Sequence, residues 1–467
     1  NLKMASLRNI VSTNSGMRFM VESLDICSAA GRRMLLSQEM FTNAGQIENE
    51  LEKLAFFVEV VKQEKLAMPV ESIRHDLQQL HDIQGTLANL AAAKVLDDIG
   101  FFEIKHFSLL SESVRVNLEL LHCHLVNLPI LQEVIAVLDP ENQKLPQFYI
   151  YPAYSQELAE LRKQQQNLLA ENPEQAEVVR QKCLVLEDNI RQKLSLQLFS
   201  EATGLMQAHE MLAAIDILFA KAIQAVANDM SRPQPASECT HYTQLFNPWV
   251  KKMLEQQQKA FQPVDITIEP LPCLITGANM GGKTVLLKTV ALAQYLFQFG
   301  FYIPAKEAAI VPVDEILINM GDDQSELNGL SSFAAEMLNI NKMLHSARTG
   351  KKLLALVDEP ARTTNPAEGR AIVNAIVTLL AQSRILSLVT THYSNIKAPC
   401  RKLRVKGLLT GELNEQITVN NINNYMDYSL LEHDADDVPL EALRIASILG
   451  VEDELIQLAA QFLKQNS

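Results

Sequence analysis

The sequence has no long apolar run, no closely spaced cysteine pair and no surplus of cations, and each absence excludes a class of protein. No stretch reaches the roughly 20 apolar residues that a membrane-spanning helix needs, and no signal peptide is visible, so the expectation is a cytoplasmic protein without a membrane partner. The chain begins with Asn1 rather than Met, which leaves room for residues upstream. Six cysteines, Cys27, Cys123, Cys183, Cys239, Cys273 and Cys400, lie far apart with no CxxC spacing and read as reduced, mostly buried thiols. His122-Cys123-His124 falls in a leucine-rich helical stretch and lacks the ligand spacing of known metal sites. Lys and Arg number 41 against 55 Asp and Glu, a net charge of -14. That argues against a surface that embraces nucleic acid as a whole, although a local basic stripe is compatible with it. What is present is a globular composition, 48% hydrophobic and 21% charged over 467 residues, long enough for two or three domains.

Glycine is scarce and strand-like alternation nearly absent in residues 1–230, which read as a helical core and lever domain. Apolar residues recur at helical spacing, as in Leu51, Leu54, Phe57, Val58 and Val61. The aromatic run Phe148 to Tyr151 interrupts the pattern. After it, Leu158, Leu161 and Leu168, then Val178, Leu184, Ile190 and Leu194, trace two amphipathic helices with Asn172-Pro173 at the turn, a helical hairpin over 155–195. Ser231 to Ser237, with two prolines, reads as a linker. Residues 238–437 change texture. Apolar strand-like runs at Val264–Ile268, Leu271–Thr276, Leu353–Val357 and Ile385–Thr390 alternate with helical runs at 283–299, 332–347 and 367–382. This predicts an α/β domain with a largely parallel sheet. Residues 438–467 read as helical again.

Three motifs carry chemistry. Gly277-Ala-Asn279-Met280-Gly281-Gly282-Lys283-Thr284 fits GxxxxGK[ST] between a strand and a helix, the context of a phosphate-binding loop. Glycines let successive N–H groups point at phosphate oxygens, the helix N-terminus adds its dipole, Lys283 reaches the β and γ phosphates, and Thr284 offers a hydroxyl to Mg2+. The ligand implied is ATP. Second, the apolar strand Leu353 to Val357 ends in Asp358-Glu359. Asp358 would hold magnesium and Glu359 would polarise the attacking water. Pro360 predicts extended backbone at Glu359. Third, Thr390-Thr391-His392-Tyr393 follows a strand, which places His392 at the crevice where such sheets bind ligands, either as a sensor of the γ phosphate or as a structural histidine.

With these motifs in place, residues 271–400 resemble the ATPase domain of the MutS family, a branch of the ABC-type ATPases. The family's GPNMGGKST loop is here Gly-Ala-Asn-Met-Gly-Gly-Lys-Thr, and its hydrophobic-Pro-Ala element is Tyr302-Ile303-Pro304-Ala305. Its Ser-Thr-Phe signature is Ser331-Ser332-Phe333, followed by Glu336. Residues 17–65, including Gly31 to Leu35, are similar to the start of its helical core, and the tail around Ala446 and Leu449-Gly450 to its dimer-supporting helices. The resemblance implies a homodimer, or a heterodimer with a related subunit, in which Ser331 contacts the γ phosphate bound to the partner subunit; an N-cap role for Ser331 is compatible with this.

The departures bear on function. Val285 replaces a hydroxyl residue, Pro360-Ala-Arg-Thr-Thr replaces Ile-Gly-Arg-Gly-Thr, and Asn247-Pro248 stands where His-Pro is usual. Phe261 either stacks on adenine or packs in the core. No mismatch-reading domain with a Phe-x-Glu wedge and no β-rich clamp is recognisable, and no nuclease tail. The hairpin that takes the clamp's place nearly balances its charges, whereas gripping a duplex needs surplus cations. Two partners follow: DNA, not read through a mismatch domain, or a protein. A truncated branch with this layout reactivates adenosylcobalamin-dependent aminomutases.

Overall fold

The computed structural model describes residues 6–145, 147–277, 282–320, 332–408, 425–433, 441–448 and 450–465. The chain divides into two compact units. One comprises 1–23, 39–52 and 225–467, the other 24–38 and 53–224.

The second unit is helical among its described residues, as the apolar spacing predicts. The helix Ala44–Val61 carries Leu54, Phe57 and Val58 into this unit, all buried. The hairpin consists of helices Gln156–Glu171 and Pro173–Phe199. Asn172 caps the second helix by accepting from the Gln175 N–H, with Pro173 at its first position, where a missing N–H costs nothing. Phe148 to Tyr151 forms no strand. Tyr151 instead shares a buried polar cluster with Lys105, whose Nζ donates to Asp139 Oδ1 at 3.1 Å and to the tyrosine hydroxyl at 2.8 Å. A fully buried ammonium is tolerated only with such partners.

The first unit is α/β. A six-stranded sheet runs in the order β10-β9-β4-β8-β7-β6. Its members are β4 (Cys273–Thr276), β6 (Glu315–Met320), β7 (Leu353–Asp358), β8 (Leu386–Thr390), β9 (Arg401–Leu408) and β10 (Met426–Glu432). All neighbours are parallel except β10, which is antiparallel to β9. A smaller sheet orders β1 (Gln234–Pro235), β5 (Glu307–Ile310), β2 (Thr240–Leu245) and β3 (Val264–Ile268) as β1-β5-β2-β3. Helices Ser332–Ala347 and Pro366–Ser383 connect strands of the large sheet, while Lys283–Gln298 leads from β4 to β5 of the smaller one, all close to the ranges read from sequence. A strand buried on both faces reads as a continuous apolar run, and Leu353 to Val357 are all at most 2% exposed.

Two expectations are corrected. Ser231 to Ser237 is no free linker: Ser231 exchanges backbone hydrogen bonds with Ile303, and β1 pairs with β5. An edge position accepts Pro235, which has no N–H to donate. Residues 1–23 and 39–52, read as part of the helical domain, cluster instead with the α/β unit. The reason lies in the helix Lys283–Gln298, which is apolar nearly all round and must be covered on every side. Buried Gln298 and Phe41 exchange hydrogen bonds, the Phe41 N–H donating to the Gln298 carbonyl and Gln298 Nε2 to the Phe41 carbonyl.

Candidate active site

The large sheet places β4, β8 and β7 side by side and parallel, with Ile275 level with Thr390 and Val357 level with Val389. Their C-terminal ends therefore open onto one crevice, the position at which open α/β sheets bind ligands. Gly277, Asp358-Glu359 and Thr390 to His392 all sit there. Asn279, Met280, Gly281 and Ser331 lie outside the described residues.

Gly282 precedes the loop helix with φ +70°, and a Cβ built on it would come within 3.2 Å of the Tyr428 ring. Glycine meets both demands, the left-handed backbone and the close aromatic neighbour. Lys283 follows with only 3% of its side chain exposed. Its Nζ donates to the Gly277 carbonyl at 2.7 Å and pairs with Glu359 Oε1 at 3.2 Å. Thr284 Oγ1 donates to Asp358 Oδ2 at 2.7 Å. A hydroxyl and a carboxylate oxygen thus converge at the foot of the loop. That is a donor set suited to Mg2+, which takes one or two protein oxygens and completes its shell with phosphate and water.

Thr390, fully buried, ties the two acids together. Its hydroxyl donates to Asp358 Oδ1 at 2.6 Å and accepts the Glu359 N–H at 2.9 Å. His392 Nδ1 lies 3.9 Å from Glu359 Oε2 and its ring tilts onto Tyr393. The extended backbone predicted for Glu359 is not found. Its φ is +43°, and Ala361 follows at +59°. A left-handed non-glycine residue costs on the order of 1–3 kcal/mol and persists where surrounding contacts over-determine it. Here those contacts are the Thr390 hydroxyl on the peptide N–H and Lys283 on the carboxylate, which outweigh the local preference imposed by Pro360.

Beside Gly282 lies a cavity of about 260 Å³, lined mainly by apolar groups, among them Phe261, Val285, Val405, Tyr428 and Leu430. Phe261 is half-buried, and the neighbouring Gln262 accepts the Tyr428 N–H at 2.9 Å, fixing this segment to β10. Val285, where the family carries a hydroxyl, contributes apolar wall. Tyr428 is not marked by the sequence, since an aromatic in a late strand carries no motif, and Thr390 stands there only as the first residue of the histidine motif, with no role of its own. Asn247 has a structural part, capping the helix Pro248–Gln256 and donating to Thr289 Oγ1 at 3.2 Å.

Residues 273–466 match MutS domain V. Over this stretch the chain is similar to MutS-family proteins. It is 30% identical over 282 residues to the endonuclease MutS2 of Carboxydothermus hydrogenoformans, covering 60% of this chain and 34% of that protein. The MutS2 of Caldanaerobacter subterraneus is 33% identical over 46% of this chain and 27% of its own, and that of Caldicellulosiruptor bescii 35% over 45% and 26%. The chain thus spans about a third or less of the length of these relatives.

Thr390 is the residue on which the geometry of both acids turns. Thr390→Val keeps the shape, removes the donor to Asp358 and leaves the Glu359 N–H without its acceptor, at about 1–3 kcal/mol for a buried unmet group. For a site that turns over Mg·ATP, the expected result is hydrolysis slowed at least about tenfold (~1.4 kcal/mol) and a higher magnesium requirement. Phosphate release measured across a magnesium titration checks this; unchanged rates would remove Thr390 from the site.

Proposed function

We propose that this chain binds and hydrolyses ATP as one half of a dimeric switch. The observation that carries the reading is the meeting of Lys283 and Thr284, from the loop and helix after β4, with Asp358 and Glu359 at the end of β7, across the intervening β8. In this reading Gly277 to Thr284 cradle the phosphates, with Asn279, Met280, Gly281 and Gly282 contributing backbone and Lys283 its charge. Thr284 and Asp358 hold magnesium, which when bound neutralises phosphate charge. Glu359 orients and polarises the attacking water. His392, close to that carboxylate and 37% exposed, faces the γ phosphate. The cavity between Phe261 and Tyr428 receives the adenine, an aromatic base against aromatic and aliphatic walls.

We also assign the chain a second subunit, identical or related, whose Ser331 completes the site. The tail supports association: the helix Asp453–Gln465 carries Leu455, Leu458 and Phe462 on one face, 55%, 47% and 62% exposed. ATP held between two subunits tightens them by linkage, and the helical hairpin transmits that change to a macromolecular partner. No helix among the described residues is long and apolar enough to cross a membrane, in keeping with a cytoplasmic site of action.

The first reading of that partner is DNA, supported by similarity to relatives named endonuclease MutS2. A protein partner, such as an adenosylcobalamin-dependent aminomutase, is the second, favoured by the pairing of the hairpin arginines. Arg162 pairs with Glu187 at 2.8 Å, Arg180 with Glu177 at 2.7 Å, and Arg191 with Asp98 and Asp188 at 2.8 Å each. Cations already paired release few phosphate counterions.

Two measurements test these readings. Lys283→Ala should abolish ATP binding, and Glu359→Gln should retain binding while losing hydrolysis; wild-type phosphate release by Glu359→Gln would dismiss it as the catalytic residue. Titration with matched and mismatched duplexes at fixed salt should show weak, salt-sensitive binding without preference. A tenfold preference for the mismatch, about 1.4 kcal/mol, would restore DNA repair as the function.

A further inference from the structure

The turn after β7 is held from two directions. From β8 and the residues after it, Thr390 accepts the Glu359 N–H at 2.9 Å and the Tyr393 hydroxyl donates to the Ala361 carbonyl, also at 2.9 Å. Gly369 makes room for that tyrosine, since a Cβ there would lie 2.2 Å from its hydroxyl. From the helix Ser332–Ala347, half-buried Glu336 reaches across, and the Ala361 N–H donates to both of its carboxylate oxygens at 3.3 Å. Burial pushes the Glu336 carboxyl above the ordinary range, opposed first by that N–H. Buried Asn319 stands beside the carboxylate and also lowers it, although its amide nitrogen falls short of hydrogen-bond geometry.

We propose that Glu336 is a positioning residue for Glu359: by accepting the Ala361 N–H it fixes the left-handed turn and hence the place of the Glu359 carboxylate beside Lys283. The inference rests on the ATPase reading and deepens it. Glu359 and Ala361 both have positive φ, so the turn relaxes unless each peptide is pinned. Thr390 pins the first and Glu336, with Tyr393, the second. An acid displaced by about 1 Å from its water loses on the order of a hundredfold in rate. The groups that would hold nucleotide are placed by other bonds, Lys283 by the Gly277 carbonyl and Glu359, and Thr284 by Asp358, so loss of Glu336 bears on turnover more than on affinity. Glu336 also belongs to the helix that begins at Ser332, which gives that helix a direct hold on the turn after β7.

The experiment compares wild type with Glu336→Ala, Glu336→Asp and Glu336→Gln, measuring equilibrium binding of an ATP analogue and steady-state phosphate release. Glu336→Ala and Glu336→Asp, which remove or withdraw the acceptor, should lower kcat at least about tenfold while nucleotide affinity weakens by no more than about threefold. Glu336→Gln, whose amide oxygen still accepts the N–H, should stay within about threefold of wild type in both. Glu336→Asp serves the same purpose should the alanine variant fail to fold. Wild-type turnover in both shortened variants would overturn the proposal, as would Glu336→Gln as slow as Glu336→Asp, or affinity falling in step with turnover. A wild-type protein that binds nucleotide without hydrolysing it would instead remove the ATPase reading, and this inference with it.

Discussion

The Lys283–Glu359 ion pair is the interaction on which the rest of the site depends. Both side chains are largely buried, Lys283 at 3% and Glu359 at 12% exposure. A buried cation needs a partner, and Glu359 reaches it only from a backbone conformation that a non-glycine residue before proline ordinarily avoids. The fold supplies the restraints: parallel pairing sets β8 beside β7, Thr390 stands level with the acids, and its hydroxyl takes the Glu359 N–H. The same side chain steadies Asp358 against Thr284. A phosphate-bearing ligand at the loop would compete with Glu359 for Lys283 and free the carboxylate to act on water, so binding and catalytic readiness become linked through one lysine.

Much of this was legible in the sequence because it rests on local pattern. The glycine-rich loop stands between an apolar strand and a helix, and apolar runs ending in Asp358-Glu359 and Thr390-Thr391 mark buried parallel strands. Helix ranges at 283, 332 and 366 follow from apolar spacing. What was not legible depends on neighbours far along the chain. The backbone of Glu359 was misread because the residue-before-proline preference is local, whereas the Thr390 hydrogen bond spans 31 positions. Ser231 to Ser237 has a linker's composition, and only pairing with β5 makes part of it a strand. Tyr428 lines the cavity beside the loop although 144 positions separate it in sequence from Thr284.

The packing of residues 1–23 and 39–52 with the α/β unit has a similar origin. Their helices look like those of the helical unit, and the sequence pattern cannot tell one apolar surface from another. The choice is made by polar groups: Gln298 and Phe41 exchange hydrogen bonds deep in the unit, an arrangement that a buried amide requires and an apolar neighbour cannot offer.

With nucleotide at the loop, Lys283 would be shared between Glu359 and the phosphates. Calorimetric titration of Mg·ATP into wild type and Glu359→Gln, under conditions where neither turns over during an injection, tests it most directly. Saturable binding to both is expected, tighter for Glu359→Gln because the competing carboxylate is gone. No binding to the wild-type chain, or weaker binding to Glu359→Gln, would contradict it.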